Sequence, residues 1–326
     1  MKNLEIKIIM PVFNDWDNFK KVAEEIYQYY QKSNYDIELI VVNDSSDNKL
    51  EQKNFNSFKI TLINLLNNVG NQRAIAHGIK YVVKNFKEYD YTIVMDSDGE
   101  DKVEDIKNLI EECKIFEGKN IIFAQRKKRY ENFTFKLFYF IYKKIFKLLT
   151  GKIVDFGNFS CIPKNYLKKI ALLPGLELHY CCSVLKSNFS YKKISCNKGK
   201  RLFGGTNLSL SKHITHGLNS LSLFVDIIAA KIFFISILSI LGLFLFSIII
   251  TISKIIFTSA LVGWTSTMLM SILIIFSILF LSCMFSLFIL WNKNNYNNSN
   301  SETFFEDLIE NIEILEKQSI NDSKDI

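Results

Sequence analysis

Short apolar runs alternate with amphipathic stretches along the first 126 residues of the chain. Runs rich in β-branched residues predict five strands, at residues 6–12, 37–44, 58–65, 91–96 and 120–126. Apolar positions at helical spacing between these runs predict helices over about 17–31, 71–86 and 103–116. Strands that alternate with helices of this size predict an α/β fold with an open, mostly parallel sheet that is covered by helices on both faces.

Two uncharged runs, Ile232–Ile252 and Phe257–Trp291, lie near the far end of the chain. About 20 apolar residues cross a bilayer as a helix. The pattern therefore predicts a transmembrane hairpin over 230–292, with spans at about 232–252 and 265–291. A pair of buried core helices is the alternative interpretation, but the length of the runs and their lack of polar faces favour a lipid bilayer as the partner.

Lysines are distributed unevenly around the predicted hairpin. Lys212, Lys231 and Lys293 lie outside it, whereas Lys254 lies in the turn between the spans. Positive charge is enriched on the cytoplasmic side of membrane proteins. The first apolar run is interrupted by a proline and does not read as a signal segment. We therefore expect a multi-pass protein of the cell (inner) membrane, with a domain over 1–225 and both termini in the cytoplasm.

Residues 133–149 place lysines on one side of a predicted helix and aromatic or aliphatic residues over most of the rest. This composition is typical of a helix in a membrane interface, and a core helix with a narrow solvent stripe is the alternative. We expect a second interfacial helix over 207–225. The tail, 293–326, carries apolar residues at helical spacing, at Phe304, Leu308, Ile312 and Leu315. This spacing predicts an amphipathic helix that packs against the protein or self-associates into a homo-oligomer.

The residues that follow each predicted strand are candidate ligand-binding residues, because open α/β sheets bind ligands at the carboxyl ends of their strands. Neither G-x-G-x-x-G nor G-x-x-x-x-G-K-[ST] is present, so the usual glycine-rich phosphate cradles are excluded. Asp44 is a candidate acceptor for a base or ribose. After the fourth strand, Asp96, Asp98 and Glu100 offer the hard oxygen ligands that would hold Mg²⁺ or Mn²⁺ against a diphosphate. A solvated acidic turn is the alternative.

The net charge of +7 over 326 residues is compatible with nucleic acid, an anionic membrane surface or a phosphorylated substrate as partner. The predicted hairpin favours the last two, so we expect no nucleic acid. The six cysteines form no C-x-x-C pair. In a cytoplasmic chain this pattern indicates reduced core thiols.

Several short motifs follow one another along the chain, carried by Pro11, Phe13, Asn14, Asp15, Asp44, Asn68, Gly70, Gln72, Asp96, Asp98, Glu100, Asp101, Glu104, Arg126, Arg129, Asp155, Gly157, Phe159, Arg201 and Gly204. In this order they resemble the motifs of family 2 glycosyltransferases with the GT-A (Rossmann-like) fold. Over about residues 6–291 the chain is similar to the polyprenyl-phosphate subgroup, which includes bactoprenol glucosyltransferase and dolichyl-phosphate mannose synthase. Among the departures, Asn43 replaces an aspartate that is usual in the family.

The resemblance implies an inverting, metal-dependent transfer of a sugar from a nucleoside diphosphate sugar to polyprenyl (undecaprenyl) phosphate at the cytoplasmic membrane face, for a cell envelope glycan. The implied metal is Mg²⁺ or Mn²⁺, on Asp96, Asp98 and Glu100. The implied catalytic residues are Asp98, Asp101, Arg126 and Arg129. Nucleotide-sugar contacts are implied for Pro11, Phe13, Asn14, Asp15, Asp44, Gln72 and Asp96, and acceptor-phosphate contacts for Arg126, Arg129 and Arg201.

Three other functions are compatible with parts of this pattern. A processive polysaccharide synthase shares the fold and the metal motif, although no Q-x-x-R-W sequence is present. A glycosyltransferase for another lipid-linked acceptor carries the same motifs. An inactive, membrane-anchored scaffold of the same fold would explain the departures, but the retained acidic positions of DSDGED favour an enzyme.

Overall fold

The structure is a computed structural model that describes residues 3–50, 57–126, 133–197, 199, 201–204, 210–256, 263–296 and 306–315. The chain divides into two compact units. The first comprises Met1–Lys143, Ile153–Leu223 and Ser301–Ile326, and the second comprises Lys144–Lys152 and Phe224–Asn300. The sheet lies in the first unit, and two long apolar helices lie in the second.

A mixed sheet forms the centre of the first unit. Its described strands are β1 (Leu4–Val12), β2 (Tyr35–Asn43), β3 (Lys59–Leu65), β4 (Tyr91–Val94), β5 (Ile121–Arg126), β6 (Ser160–Pro163), β7 (Tyr191–Cys196) and β8 (Ile309–Leu315). They lie in the order β7-β5-β6-β4-β1-β2-β3-β8. Strands β1 to β4 pair in parallel, as do β5 and β7, whereas β6 and β8 are antiparallel to their neighbours. The five predicted strands and the mostly parallel arrangement are confirmed.

Helices cover both faces of this sheet. The described helices are α1 (Trp16–Tyr30), α2 (Asn71–Asn85), α3 (Glu104–Ile115), α4 (Phe133–Thr150), α5 (Lys164–Ala171), α6 (Tyr180–Lys186), α7 (Leu210–Ser222), α8 (Val225–Ile256) and α9 (Trp264–Tyr296). Helices α1 and α3 pack on one face, and α2, α5 and α6 pack on the other. In β1, Ile8 and Met10 contribute to the first core and Ile9 to the second, because successive side chains of a strand point to opposite faces. The predictions of α1, α2 and α3 are confirmed.

The tail corrects one expectation. Residues 309–315 form β8, which pairs antiparallel with β3, where an amphipathic helix was predicted. The sequence IENIEIL satisfies both periods, since Ile312 and Ile314 alternate with polar residues while Leu308, Ile312 and Leu315 also share a helical face. The free edge of β3 decides between them, because it offers unpaired backbone groups that an extended segment satisfies. Residues 297–305 and 316–326 lie outside the described part of the chain.

The second unit contains two helices that are long and apolar enough to cross a membrane. The candidate spans are Val225–Ser253 and Ser266–Ile289, each with a mean hydropathy of 2.8. Only 6% of each span is buried, which does not fit the alternative of buried core helices. Their length, composition and exposure fit association of the chain with a membrane. Residues 257–262 of the predicted turn lie outside the described residues, and the orientation of the hairpin stays a prediction.

Helices α4 and α7 occupy the two stretches that were predicted to be interfacial. The described half of α4 exposes large apolar side chains, with Leu148 77% exposed and Phe140 53% exposed. A core helix with a narrow solvent stripe would bury these side chains. In α7, Ile214 and Leu218 are exposed in the same way. Location in a membrane interface stays the prediction for both helices.

Candidate active site

The candidate site lies at the carboxyl edge of the sheet, where the segments after β1, β2 and β4 meet. The backbone N–H of Asp44 donates to the carbonyl oxygen of Val12 at 2.8 Å. The Ser97 hydroxyl, just after β4, donates to the carbonyl oxygen of Pro11 at 2.9 Å. Parallel strands bring their carboxyl ends to one edge, so the polar residues that follow them are brought together as expected.

The acidic turn after β4 is braced by its own carboxylates. The Asp101 carboxylate is buried and accepts a hydrogen bond from the Asp96 N–H at 3.1 Å. The Asp98 Oδ1 accepts from the Glu100 N–H at 2.9 Å. Gly99 has φ +81°, a left-handed conformation that favours glycine. Asp101 therefore shapes the turn, and its predicted catalytic role stays a prediction.

Asp98 carries a poorly compensated negative charge. Its side chain is 22% exposed. Burial, with the neighbouring Asp96 and Glu100 carboxylates adding to it, raises the pKa of Asp98 to about 6, although the N–H of Glu100 and the Arg201 guanidinium act in the opposite direction. A desolvated carboxylate beside like charges binds a proton or a cation readily.

A second stretch of chain crosses this turn, which we call the crossing segment and which is described at residues 199 and 201–204. The Gly199 N–H donates to the Glu100 carbonyl oxygen at 2.8 Å. A Cβ atom on Gly199 would lie 2.5 Å from the Gly99 carbonyl oxygen, closer than real Cβ contacts come. Glycine at position 199 is therefore required for the two backbones to approach each other.

The crossing segment brings Arg201 into the site. Its Nη2 lies 2.6 Å from the Asp15 Oδ2, and its Nη1 lies 3.8 Å from the Asp98 Oδ2. Asp15 thus anchors the guanidinium, and its predicted contact with the nucleotide sugar stays a prediction. The structure thus places a cation beside the acidic turn, where an anionic substrate would need it.

Asn18 holds the crossing segment against α1, and the sequence motifs did not indicate it. Its side chain is only 1% exposed. Its Nδ2 donates to the Phe203 carbonyl oxygen at 3.0 Å and to the Asp15 Oδ1 at 2.6 Å, and its Oδ1 accepts from the Phe203 N–H at 2.8 Å. The available signal was a polar residue in the first turn of α1, next to Phe19 on the buried face of the helix.

Both carboxylate oxygens of Asp44 accept hydrogen bonds from the backbone of a neighbouring turn. Its Oδ1 accepts from the Val69 N–H at 2.6 Å and its Oδ2 accepts from the Gly70 N–H at 2.9 Å. Burial raises the pKa of Asp44, and these two donors act in the opposite direction. The side chain is 3% exposed. Asp44 therefore fixes the turn before α2, and direct contact with a base or ribose stays a prediction.

Phe13 and Asn14 lie at the open side of this region. Phe13 is 46% exposed, so its ring is accessible for stacking on a base. Asn14 has φ +50°, a conformation that asparagine tolerates better than most residues. Its Nδ2 donates to the Asp47 Oδ2 and its Oδ1 accepts from the Asp47 N–H, both at 2.8 Å. The loops after β1 and β2 are thus joined.

Gln72 joins three parts of the fold near the acidic turn. Its Oε1 accepts from the Tyr180 N–H at 2.7 Å, and its Nε2 donates to the Asn158 Oδ1 at 3.2 Å. The adjacent Asn71 donates to the Asp96 Oδ1 at 3.3 Å. Gln72 therefore connects α2 with α6 and the loop before β6, and its predicted contact with the nucleotide sugar stays a prediction.

The predicted metal ligands Asp96, Asp98 and Glu100 all lie in the acidic turn after β4. Within the described residues, no three His, Cys, Asp or Glu side chains converge closely enough to hold an ion by themselves. The Asp96 and Asp98 oxygens each accept a hydrogen bond from the protein, and ligation of a cation by Asp96, Asp98 and Glu100 stays a prediction. Mg²⁺ is commonly held by only one or two carboxylates together with substrate phosphates. The only partly compensated carboxylate of Asp98 fits that kind of site.

Two predicted acceptor residues lie at the limit of the described structure. Arg126 ends β5, and its backbone pairs with Cys196 of β7, while its side chain lies outside the description. Arg129 lies outside the described residues altogether. Their contact with an acceptor phosphate stays a prediction.

Comparison with known proteins identifies the family to which the sheet-containing part of the chain is similar. The model for glycosyl transferase family 2 matches residues 7–172. The uncharacterized glycosyltransferase YkcC of Bacillus subtilis (strain 168) is 25% identical over 83% of this chain and 84% of its own length. The undecaprenyl-phosphate 4-deoxy-4-formamido-L-arabinose transferase of Proteus mirabilis (strain HI4320) is 24% identical over 64% of each chain.

Further similarities cover smaller shares or show the fold alone. The bactoprenol glucosyl transferase of Shigella phage SfV is 24% identical over 54% of this chain and 57% of its own length. The chain thus spans less than two thirds of this relative and of the Proteus transferase. Glucosyl-3-phosphoglycerate synthase from Mycobacterium tuberculosis, crystallised with Mn²⁺, UDP-glucose and phosphoglyceric acid, matches with a TM-score of 0.51 at 11% identity, over 69% of this chain and 80% of that one.

Proposed function

The chain belongs to glycosyltransferase family 2, and from this premise we propose that it transfers a sugar from a nucleoside diphosphate sugar to polyprenyl phosphate. Family membership makes it a glycosyltransferase. The donor class, the lipid acceptor, the use of Mg²⁺ or Mn²⁺ and inversion at the sugar are our proposal.

One juxtaposition carries the proposal: Asp98, a desolvated carboxylate, lies 3.8 Å from the guanidinium of Arg201. Transfer from a nucleoside diphosphate sugar requires stabilisation of a departing diphosphate and approach of a second anion. A carboxylate suited to a divalent cation beside an arginine suited to phosphate oxygens meets both requirements.

Asp98, with Asp96 beside it, would hold the divalent cation, and the diphosphate would complete its ligands. The cation would offset the charge that develops on the diphosphate. This assignment is supported by the raised pKa of Asp98, which marks an electrostatic deficit that a cation relieves. Glu100 is a further candidate ligand for the cation, because it adds a third carboxylate to the same turn.

The remaining residues bind and orient the two substrates. Phe13 is accessible to the base, while Asn14 and Asp44 hold the loops around it. A phosphate monoester has a second pKa of about 6 and is already largely a dianion at neutral pH, so the nucleophile needs little help from a general base. Asp101 accordingly positions the turn and removes no proton. A single displacement by this nucleophile inverts the anomeric centre.

The lipid acceptor is supported by two independent observations. Two helices are apolar enough to cross a membrane, and two relatives are named as transferases that use undecaprenyl phosphate or bactoprenol. The acceptor phosphate would be held by Arg126, Arg129 and Arg201, since guanidinium groups pair with phosphate oxygens in a fork. A different lipid-linked acceptor is an outcome of the test below.

The test incubates membranes that contain the full chain with a panel of radiolabelled UDP and GDP sugars, Mn²⁺ and undecaprenyl phosphate. We expect one donor to label a lipid that appears only when undecaprenyl phosphate is added. Label in a lipid without the added acceptor would favour another lipid-linked acceptor. Neither transfer nor hydrolysis of any donor would support an inactive scaffold and overturn the proposal.

We further propose that both ends of the hairpin lie in the cytoplasm, on the distribution of lysines described above. Single cysteines at Ser259 and Asn298, in a background without the native cysteines, report the topology in intact cells. An impermeant thiol reagent should label the cysteine at 259 and spare the one at 298. The reverse labelling would contradict the proposed topology.

A further inference from the structure

Three asparagines lie opposite one another on β2, β3 and β8, and we call Asn43, Asn64 and Asn311 the asparagine ladder. Asn43 is in register with Asn64, and Asn64 is in register with Asn311. The Asn43 Nδ2 donates to the Asn64 Oδ1 at 2.8 Å. The Asn64 Nδ2 donates to the Asn311 Oδ1 at 2.5 Å and to the Glu313 Oε1 at 3.1 Å. The ladder thus reaches the edge strand β8.

The other end of the ladder enters the loops that carry the proposed donor site. The Asn43 Oδ1 accepts from the Ser46 N–H at 3.0 Å, and the Ser46 Oγ accepts from the Asn14 N–H at 2.9 Å. Asn14 is in turn joined to Asp47 by two hydrogen bonds. A continuous set of hydrogen bonds therefore connects β8 with the loops after β1 and β2.

The direction of the ladder is determined by its two ends. Glu313 is an acceptor when ionised, so Asn64 must turn its NH₂ group towards β8 and its oxygen towards Asn43. Asn43 must then present its own NH₂ group to Asn64 and its oxygen to the N–H of Ser46, which can only donate. Each amide orientation is thus required by its neighbours, as it is in any hydrogen-bond network whose ends cannot flip.

We propose that the asparagine ladder and Glu313 are positioning residues for the donor loops, so that the C-terminal strand β8 contributes to the affinity for the nucleoside diphosphate. This inference rests on the proposed function. The ladder touches no substrate. It acts by holding Ser46, and through it Asn14, at the mouth of the donor site.

The same polarity explains why Asn43 replaces the aspartate that is usual in the family. An aspartate at position 43 would place a carboxylate against the Asn64 Oδ1. If the Asn64 amide flipped to donate to that aspartate, the Asn64 oxygen would then face the Glu313 carboxylate. Partly buried polar groups that meet acceptor to acceptor lose the hydrogen bond and keep the desolvation cost. Asn43 and Glu313 are therefore a matched pair.

The test measures the binding of UDP and of GDP, with Mn²⁺, to the full chain in detergent. Asn43→Asp should weaken the binding of whichever nucleotide the native chain prefers by about tenfold, the scale of one mismatched hydrogen bond. In Asn43→Asp/Glu313→Gln the new amide donates to the flipped Asn64. We expect this double variant to recover most of the lost affinity.

A charge control separates polarity from long-range repulsion of the nucleotide. Glu310 lies on the same strand, is exposed and lies outside the ladder. Asn43→Asp/Glu310→Gln has the same net charge as the rescue variant but leaves Glu313 in place. It should bind as weakly as Asn43→Asp alone.

The outcomes distinguish this inference from the proposed function. A native chain that binds neither nucleotide overturns both. Native binding with unchanged affinity in Asn43→Asp, or equal rescue by Glu310→Gln, overturns the ladder alone. Should Asn43→Asp not fold, Asn311→Ala removes the acceptor at the exposed end of the ladder. It should weaken nucleotide binding by about threefold, and unchanged binding there would also overturn the inference.

Discussion

Asp44 and Asp98 both follow a buried strand, and both lie mostly out of solvent, but the fold treats their charges differently. Asp44 accepts one backbone N–H on each oxygen and lies far from the acidic turn in sequence. Among the described residues, Asp98 accepts one backbone N–H, lies 3.8 Å from the Arg201 guanidinium and shares its turn with Asp96 and Glu100. A buried carboxylate that the backbone satisfies holds structure together, whereas one left partly uncompensated is available to a cation. Three predictions test this difference, and a fourth concerns a buried histidine of α2.

The largest effect is expected for Asp98→Asn. The amide keeps the shape of the side chain but lacks the charge that a divalent cation requires, so turnover with Mn²⁺ should fall by at least about a hundredfold. The thermal midpoint without metal should not fall, because a neutral group relieves the repulsion from Asp96 and Glu100. Initial rates and a melting curve on the same sample check both parts. Near-native turnover would remove Asp98 from the proposed metal site.

Arg201→Gln should act on the acceptor. Loss of a charged partner to phosphate usually costs about 1.5 to 3 kcal/mol, which corresponds to a rise of roughly tenfold to hundredfold in the KM for undecaprenyl phosphate. Arg201→Lys keeps the charge but lacks the fork, and it should lie between the native chain and Arg201→Gln. Rates at varied acceptor and saturating donor measure the effect. A change confined to the KM of the donor would assign Arg201 to the diphosphate.

Asp44→Asn should show the opposite pattern to Asp98→Asn. The amide nitrogen would face a backbone N–H of Val69 or Gly70, so one buried hydrogen bond is lost, and the free energy of unfolding should decrease by about 1 to 3 kcal/mol. Turnover at saturating donor should stay within about threefold. Denaturant unfolding and rates on one preparation make the comparison. Unchanged stability with a large loss of turnover would place Asp44 among the substrate-binding groups.

The smallest effect concerns His77, a buried histidine of α2. Burial lowers the pKa of His77 to about 4, with the Glu177 carboxylate acting in the opposite direction. In the unfolded chain this histidine has its ordinary pKa of about 6.5, so it binds a proton at a higher pH than it does in the folded chain. Stability is therefore lost as the pH falls below about 6.5. Between pH 7 and pH 5.5 the contribution is about 1 kcal/mol. Thermal midpoints of the native chain and of His77→Gln, measured across this pH range, should depend less on pH in the variant. The same pH dependence in both proteins would contradict a lowered pKa for His77.

Much of the fold could be predicted because its signals are local. The apolar runs of β1, β2 and β3 and the spacing of α1 and α2 identify these elements without knowledge of their partners. The strands β6 and β7 are short and carry weak patterns, and the packing of the sheet determines them. The tail was predicted as a helix because Ile312 and Leu315 satisfy that period, and only the free edge of β3 selected the strand.

The candidate site was predictable as a set of residue types at strand ends, because the sequence places carboxylates and amides after buried strands. Their division of labour was not predictable. Arg201 meets Asp15 across 186 residues of sequence, and Asn18 receives the backbone of Phe203 across 185. Which hydrogen-bond donor reaches which oxygen depends on where the long connections bring the chain back to the sheet. The periodicity of neighbouring residues carries no information about that position.

The sequence alone therefore determined the order of β1 to β5 and of the helices between them, the two apolar spans, the glycosyltransferase motifs and the acidic turn that contains Asp98. Each of these is written in neighbouring residues, through periodicity, charge or backbone preference. The tertiary structure decided that Asp44 is satisfied by Val69 and Gly70, that Arg201 faces Asp98, and that β8 completes the asparagine ladder. The physical reason is that hydrogen bonds and desolvation act over a few ångströms, so they depend on which distant segments the packing of the sheet brings together.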